Sequence, residues 1–290
     1  MSIIDNFMQV YMYEFENFLN TKVEEIFKVS FQSDEANTDR PLKEFLKNII
    51  ERDFNCIPSN TKVKTIEYEN QSLLDLSTIK KIRINRVLLP EEIDQNIKKI
   101  IKENKNAVYT NPDLCFEIIY LNNVYYETVE LKSTKQDSIP GSSIQQILPN
   151  EWVIFIKHSK RNIEITTGKY IHAINSKMQF PDRSPRPQVS FNEMNSWNQK
   201  NRIFAYSSLV YKKDDLDVLK EKLIIDWQDV LAERWVKVIF DKNDISNKEP
   251  WFNTNLRKFI LKFLKNYDSL NDEEKKELKK RLTFLVDTDR

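Results

Sequence analysis

Hydrophobic period changes sharply at residue 113, and that change constrains the fold more than any other feature of the chain. Residues 113–134 alternate with a period of two, whereas the stretches before them repeat apolar side chains every three or four positions. Period two means strands and period 3.6 means helices, so helices precede a sheet. The segments DLCFEIIYL and VYYETVELKST flank Asn122-Asn123, a two-residue turn sequence, and predict a hairpin.

Upstream, Ile4, Phe7, Met8, Tyr11, Phe15, Phe18, Leu19, Val23, Ile26 and Phe27 predict a helix over the first 28 residues. A polar loop follows, and Pro41 opens a second helix at a favoured first position. Residues 79–89 show strand-like alternation, and Pro90 starts a third helix with Ile93, Ile97, Ile100 and Ile101 on one side. Downstream, SSIQQIL predicts a short helix, EWVIFIKH a buried strand, and NIEITTGKYIHAI one or two strands that include His172. After a proline-rich loop and a last apolar stretch, IFAYSSLVY, residues 214–290 read as mostly helical. This predicts an α/β chain forming one domain over 1–290. It has an N-terminal helical part (1–60), a core with a recognition segment (61–213) and a C-terminal helical part (214–290).

Composition excludes several activities. With 40% hydrophobic and 11% aromatic residues the chain is globular. Its two glycines, Gly141 and Gly168, stand alone, whereas a phosphate-binding loop or a dinucleotide fingerprint needs several close together. No nucleotide cofactor is expected. Cys56 and Cys115 lie far apart and read as small hydrophobes. His158 and His172 are the only histidines and lack metalloprotease spacing. Hydrolytic chemistry would therefore run on carboxylates and a metal. No apolar run is long enough to span a membrane, and the first residues lack the positive region of a signal peptide, so a cytoplasmic location is expected.

The informative residues are Pro112-Asp113 and, seventeen positions after Asp113, Glu130-Leu131-Lys132. An acid-x-Lys string begins at five acids in this chain, but only Glu130 follows a Pro-Asp through a predicted hairpin. With Asn122-Asn123 as the turn, Cys115 opposes Glu130 and Asp113 opposes Lys132. Asp113, Glu130 and Lys132 then share one face of the sheet. The two residues sit as diagonal neighbours with backbones about 7–8 Å apart, facing solvent or DNA. Leu114, Phe116, Val129 and Leu131 point into core. Two such carboxylates with the main-chain carbonyl of Leu131 suit Mg2+. Lys132 would orient the attacking water, and Glu117 on the same face is a candidate ligand for a second ion.

These residues, N-P-D-L-C-F followed by V-E-L-K-S-T, resemble the active-site signature of the PD-(D/E)XK nuclease superfamily. The resemblance covers roughly residues 90–157. It implies a restriction-endonuclease-like mixed central sheet flanked by helices in the order αβββαβ, with extra helices at both termini. Residues 90–104 would form the first core helix and SSIQQIL the second. Among such proteins a separate chain of this length resembles a type II restriction endonuclease. That implies an Mg2+-dependent, site-specific enzyme for double-stranded DNA, working as a homodimer that reads a palindrome. The alternatives are a structure-specific repair or recombination nuclease of the same superfamily, a DNA-binding protein without catalysis, and an interaction protein with no nucleic-acid role.

Net charge is +1, yet residues 157–213 carry eleven Lys/Arg against three Asp/Glu, a local +8. Such a segment suits phosphates. Inside it, residues 180–202 predict a proline-braced loop presenting Arg183, Arg186, Gln188, Asn192, Asn195 and Asn198 to base edges. Trp197 would pack against a base or sugar. Lys160 and Arg161 read as phosphate contacts or part of a solvated turn, and Ser133, Thr134 and Lys135 as backbone contacts near the cut.

Overall fold

The computed structural model describes residues 2–29, 40–68, 74–105, 112–159, 162–175, 187–240 and 251–288. They divide into two compact units, 1–225 and 226–290.

The first unit begins with helix α1 (Ile3–Thr21), held at its start by a capping box between Ser2 and Asp5. Its apolar stripe, Phe7, Met8, Tyr11, Phe15 and Leu19, is fully buried. Helix α2 (Val23–Phe27) and helix α3 (Arg40–Asp53) follow, then strands β1 (Thr65–Tyr68), β2 (Leu74–Asp75) and β3 (Arg83–Leu88). Pro90 opens only a 3-10 turn. Helix α4 (Gln95–Lys105) starts later, where Asp94 Oδ1 accepts the Ile97 N–H. Strands β4 (Leu114–Tyr120) and β5 (Asn123–Thr134) form the expected hairpin. Next come β6 (Ser138–Pro140), β7 (Trp152–His158) and β8 (Ile163–Lys169), then α5 (Tyr170–Ala173), β9 (Gln188–Ser190) and α6 (Phe191–Asn201). A hairpin of β10 (Arg202–Ala205) and β11 (Ser208–Tyr211) and helix α7 (Asp215–Ile225) complete the unit.

The central sheet has the order β3-β4-β5-β7-β8 and is mixed: β5 and β7 run parallel, and the other pairs are antiparallel. A second sheet has the order β10-β11-β1-β2, and β6 pairs with β9. One face of the central sheet, with Leu114, Phe116, Val129, Leu131 and Ile154, joins the main core with α1 and α3. On the other face Leu88, Cys115 and Tyr126 pack with Ile93, Ile97 and Ile101 around α4. Further along that face Phe155 meets Phe191 of α6 edge to face. The fold is thus mixed α/β with helices on both sides of a mixed sheet.

Three expectations need correction. The implied αβββαβ order is not reproduced: β3 precedes the helix at 90–104 and pairs with β4, and β6 pairs with β9 outside the central sheet. SSIQQIL is a single 3-10 turn at Ile144–Gln146, so the parallel β5–β7 crossover contains no α-helix among the described residues. His172 lies in the short helix α5, not in a strand. In the second unit, α8 (Trp227–Phe240), α9 (Trp251–Asp268) and α10 (Asp272–Thr288) are helical as the sequence suggests. No helix among the described residues is long and apolar enough to cross a membrane.

Candidate active site

The hairpin turn lies at Leu121-Asn122, with φ of 48° and 64°, one residue earlier than expected. Positive φ at both central residues is what a two-residue turn matching strand twist requires. The ladder pairs Leu114 with Val129, Cys115 with Thr128, and Glu117 with Tyr126. Both registers put the same residues on the core face, so patterning cannot choose between them. The observed one brings the Tyr126 hydroxyl 3.2 Å from Glu117 Oε2. Extending it by one residue sets Asp113 opposite Glu130 instead of diagonal to it. Because the change is two positions, Asp113, Glu130 and Lys132 keep a common face.

That face is not open at these residues. Asp113 is 7% exposed. Its Oδ1 lies 2.6 Å from Nζ of Lys43, a residue of α3, and its Oδ2 accepts the Leu131 N–H at 2.8 Å. Lys132 Nζ is 2.7 Å from Glu130 Oε1, with side chains 12% and 17% exposed. Ser142 Oγ donates to the same Glu130 oxygen at 3.3 Å, and the Ser142 N–H donates to the Tyr170 hydroxyl at 2.9 Å. Burial raises the Glu130 carboxyl above its ordinary range; Lys132 opposes this and the Asp113 charge adds to it. Burial works against the Lys132 ammonium, but Tyr170, Glu130 and Asp113 together hold its pKa above the usual lysine value. Glu130 and Glu151 border a cavity of about 40 Å³, with room for one or two waters.

Carboxylate oxygens are the donors Mg2+ takes, so the chemistry of Asp113 and Glu130 fits that ion. In a strand the N–H and C=O of one residue point the same way, so the Leu131 carbonyl faces the side of Asp113, beyond the end of the β4 ladder. Among the described residues no cluster of three or more His, Cys, Asp or Glu could hold a metal, and the pair with a carbonyl is the donor set present. Glu117, expected as a ligand of a second ion, is engaged elsewhere. It binds Asn85 at 2.7 Å and Arg86 at 2.8 and 3.0 Å, besides Tyr126.

The expected recognition loop is only partly a loop. Lys160, Arg161, Arg183 and Arg186 lie outside the described residues. Gln188 is in β9, while Asn192, Asn195 and Asn198 are in α6. Lys135, Gln188 and Asn192 are exposed and Asn195 is half-buried. Asn198 is buried, donating to Thr166 Oγ1 and the Thr167 carbonyl, and cannot read bases. Trp197 stacks on His172, with ring centroids 3.4 Å apart, and its Nε1–H donates to Asp217. It is not free to pack on a base. In the same basic segment Arg202 is bound to Glu16 at 2.6 Å. The segment nevertheless meets the site, since β9 pairs with β6 and the Gly141 N–H donates to the Pro187 carbonyl beside Ser142.

Lys43, Ser142, Tyr170 and Glu151 were not singled out from sequence. Lys43 had a signal: it lies at helical spacing from Leu46 and Ile50, a charge on an apolar stripe. Ser190 and Glu193 also marked a helix start, and Ser190 Oγ does accept the Glu193 N–H. No family model, curated protein or solved structure matches this chain.

Proposed function

We propose that this chain is an Mg2+-dependent endonuclease of the PD-(D/E)XK type, cutting double-stranded DNA at a specific sequence as a type II restriction enzyme does. The observation that supports this best is the convergence of Asp113, Glu130 and Lys132 on one sheet face at the mouth of a hairpin, with a small cavity lined partly by polar side chains beside Glu130. Asp113, Glu130 and the Leu131 carbonyl would hold the ion. A bound Mg2+ supplies a water of lowered pKa and neutralises charge on the scissile phosphate. Lys132, fixed by Glu130, would orient that water, and Ser142 and Tyr170 keep Glu130 in place. A homodimer would present two such sites to a palindrome, with exposed Lys135, Gln188 and Asn192 toward the DNA.

A second reading has one observation in its favour. The Lys43–Asp113 pair already balances charge at the site, as a DNA-binding protein without catalysis would allow. Incubation with unmethylated phage DNA, with Mg2+ and with EDTA, followed by a gel, separates them. Discrete Mg2+-dependent bands support the proposal. Unselective or structure-dependent cutting favours a repair-type nuclease, and binding that survives EDTA with no product favours the non-catalytic protein.

A further inference from the structure

The reading above gives no role to Lys43. Lysine is rarely buried without a reason, yet Lys43 is 7% exposed in a helix whose neighbouring Leu42, Leu46, Ile49 and Ile50 are core. Its ammonium is 2.6 Å from Asp113 Oδ1, and the other Asp113 oxygen is taken by the Leu131 N–H. Lys132 faces Glu130 in the same way. Asp113, Glu130, Lys43 and Lys132 therefore form a set of two carboxylates and two ammonium groups that is balanced as it stands. A divalent ion added to it would leave two uncompensated positive charges in a largely buried place, which is costly. If one ammonium leaves Asp113, the excess falls to one, which a single DNA phosphate balances.

Resting on the assignment of Asp113 and Glu130 as the metal pair, we propose that Lys43 occupies the cation position at Asp113 in the metal-free protein. A divalent ion enters that position by exchange with the Lys43 ammonium. Of the two lysines, Lys43 is the one that can leave. It lies in the first turn of α3, on a long flexible stem that can carry the charge outward. Lys132 is instead anchored two residues from Glu130 on the same strand. Exchange keeps an unpaired carboxylate from being buried before the ion arrives, and it couples ion entry to a phosphate that completes the balance.

Mn2+ binding to the full chain, followed by electron paramagnetic resonance of the free ion, tests this without an activity readout. Lys43→Met keeps the stem and removes the charge, so Mn2+ should bind at least about tenfold more tightly than in wild type, a difference of about 1.4 kcal/mol. Because Lys43→Met leaves Asp113 buried without its partner, Lys43→Gln serves as a second variant that keeps a hydrogen-bond donor, and it should move affinity the same way. Added Mn2+ should also raise the thermal midpoint of both variants more than that of wild type. Lys47→Met, on the same helix as Lys43, removes a partly exposed pair with Glu92 of the 3-10 turn and should leave affinity unchanged. Equal or weaker Mn2+ binding in both Lys43 variants overturns the exchange while leaving the metal site standing. Binding that persists in the Asp113→Asn/Glu130→Gln double variant, or no binding in any protein, overturns the metal-site assignment and the exchange with it.

Discussion

Replacing Asp113 by alanine should cost fold stability as well as activity. A carboxylate facing solvent would be lost at little cost to the fold, but Asp113 is buried against Lys43 and also accepts the Leu131 N–H. Removing one member of a buried ion pair costs about 3–5 kcal/mol, because the remaining charge is left unpaired. An orphaned N–H costs about 1–3 kcal/mol unless water replaces the acceptor. The exposure of both side chains is below a tenth, so solvent screening relieves little of this. Because the Lys43 stem can carry its ammonium outward once Asp113 is gone, the low ends apply, and their total of about 4 kcal/mol is a large share of the stability of an ordinary domain. At about 2–4 °C per kcal/mol for a unit of this size, the thermal midpoint should fall by roughly 8–16 °C. Urea unfolding followed by tryptophan fluorescence measures the loss, and Lys43→Met/Asp113→Ala should recover most of it because both buried charges are then gone. An Asp113→Ala protein within about 1 kcal/mol of wild type would refute the buried pair as a determinant of stability.

Other consequences follow from neighbouring residues. A Cβ added at Gly141 would lie 2.5 Å from the Pro187 carbonyl oxygen and 2.8 Å from the Tyr170 hydroxyl. Gly141→Ala should therefore cost about 1–3 kcal/mol in urea unfolding and disturb Ser142 beside Glu130. Burial, then the charges of Lys169, Lys220 and Arg202, keep the pKa of His172 well below its ordinary value of about 6.5. The unfolded chain thus binds a proton that the folded one refuses. Stability present above pH 6.5 is lost as pH falls from there toward the folded pKa, and His172→Phe should flatten that dependence between pH 7.5 and 5.5. Asn198→Ala should lower stability by about 1–3 kcal/mol while leaving the ratio of cognate to random DNA binding unchanged in a titration.

The strands and the shared face of Asp113, Glu130 and Lys132 were legible in the sequence because period-two patterning fixes faces, and a two-residue shift of register preserves them. The turn position was not, since both registers bury the same residues and only pairs such as Glu117 with Tyr126 distinguish them. The burial of the site was invisible because it depends on Lys43, seventy positions from Asp113. Asn198 and Trp197 were misplaced because prolines near residue 185 suggested a loop, although Ser190-x-x-Glu193 carried the helix signal. SSIQQIL was too short to hold a helix against its surroundings, and one 3-10 turn remains.

The most direct measurement is single-turnover cleavage of unmethylated phage DNA by wild type and by Glu130→Gln, with Mg2+ and with EDTA. Glu130→Gln preserves shape and removes the one charge that fixes Lys132 and, on the proposal, would hold the ion. The wild-type protein should give discrete, Mg2+-dependent fragments, and a folded Glu130→Gln protein should give none while still binding DNA. Cleavage by Glu130→Gln at a rate near that of wild type would contradict the assignment of this hairpin as the catalytic site.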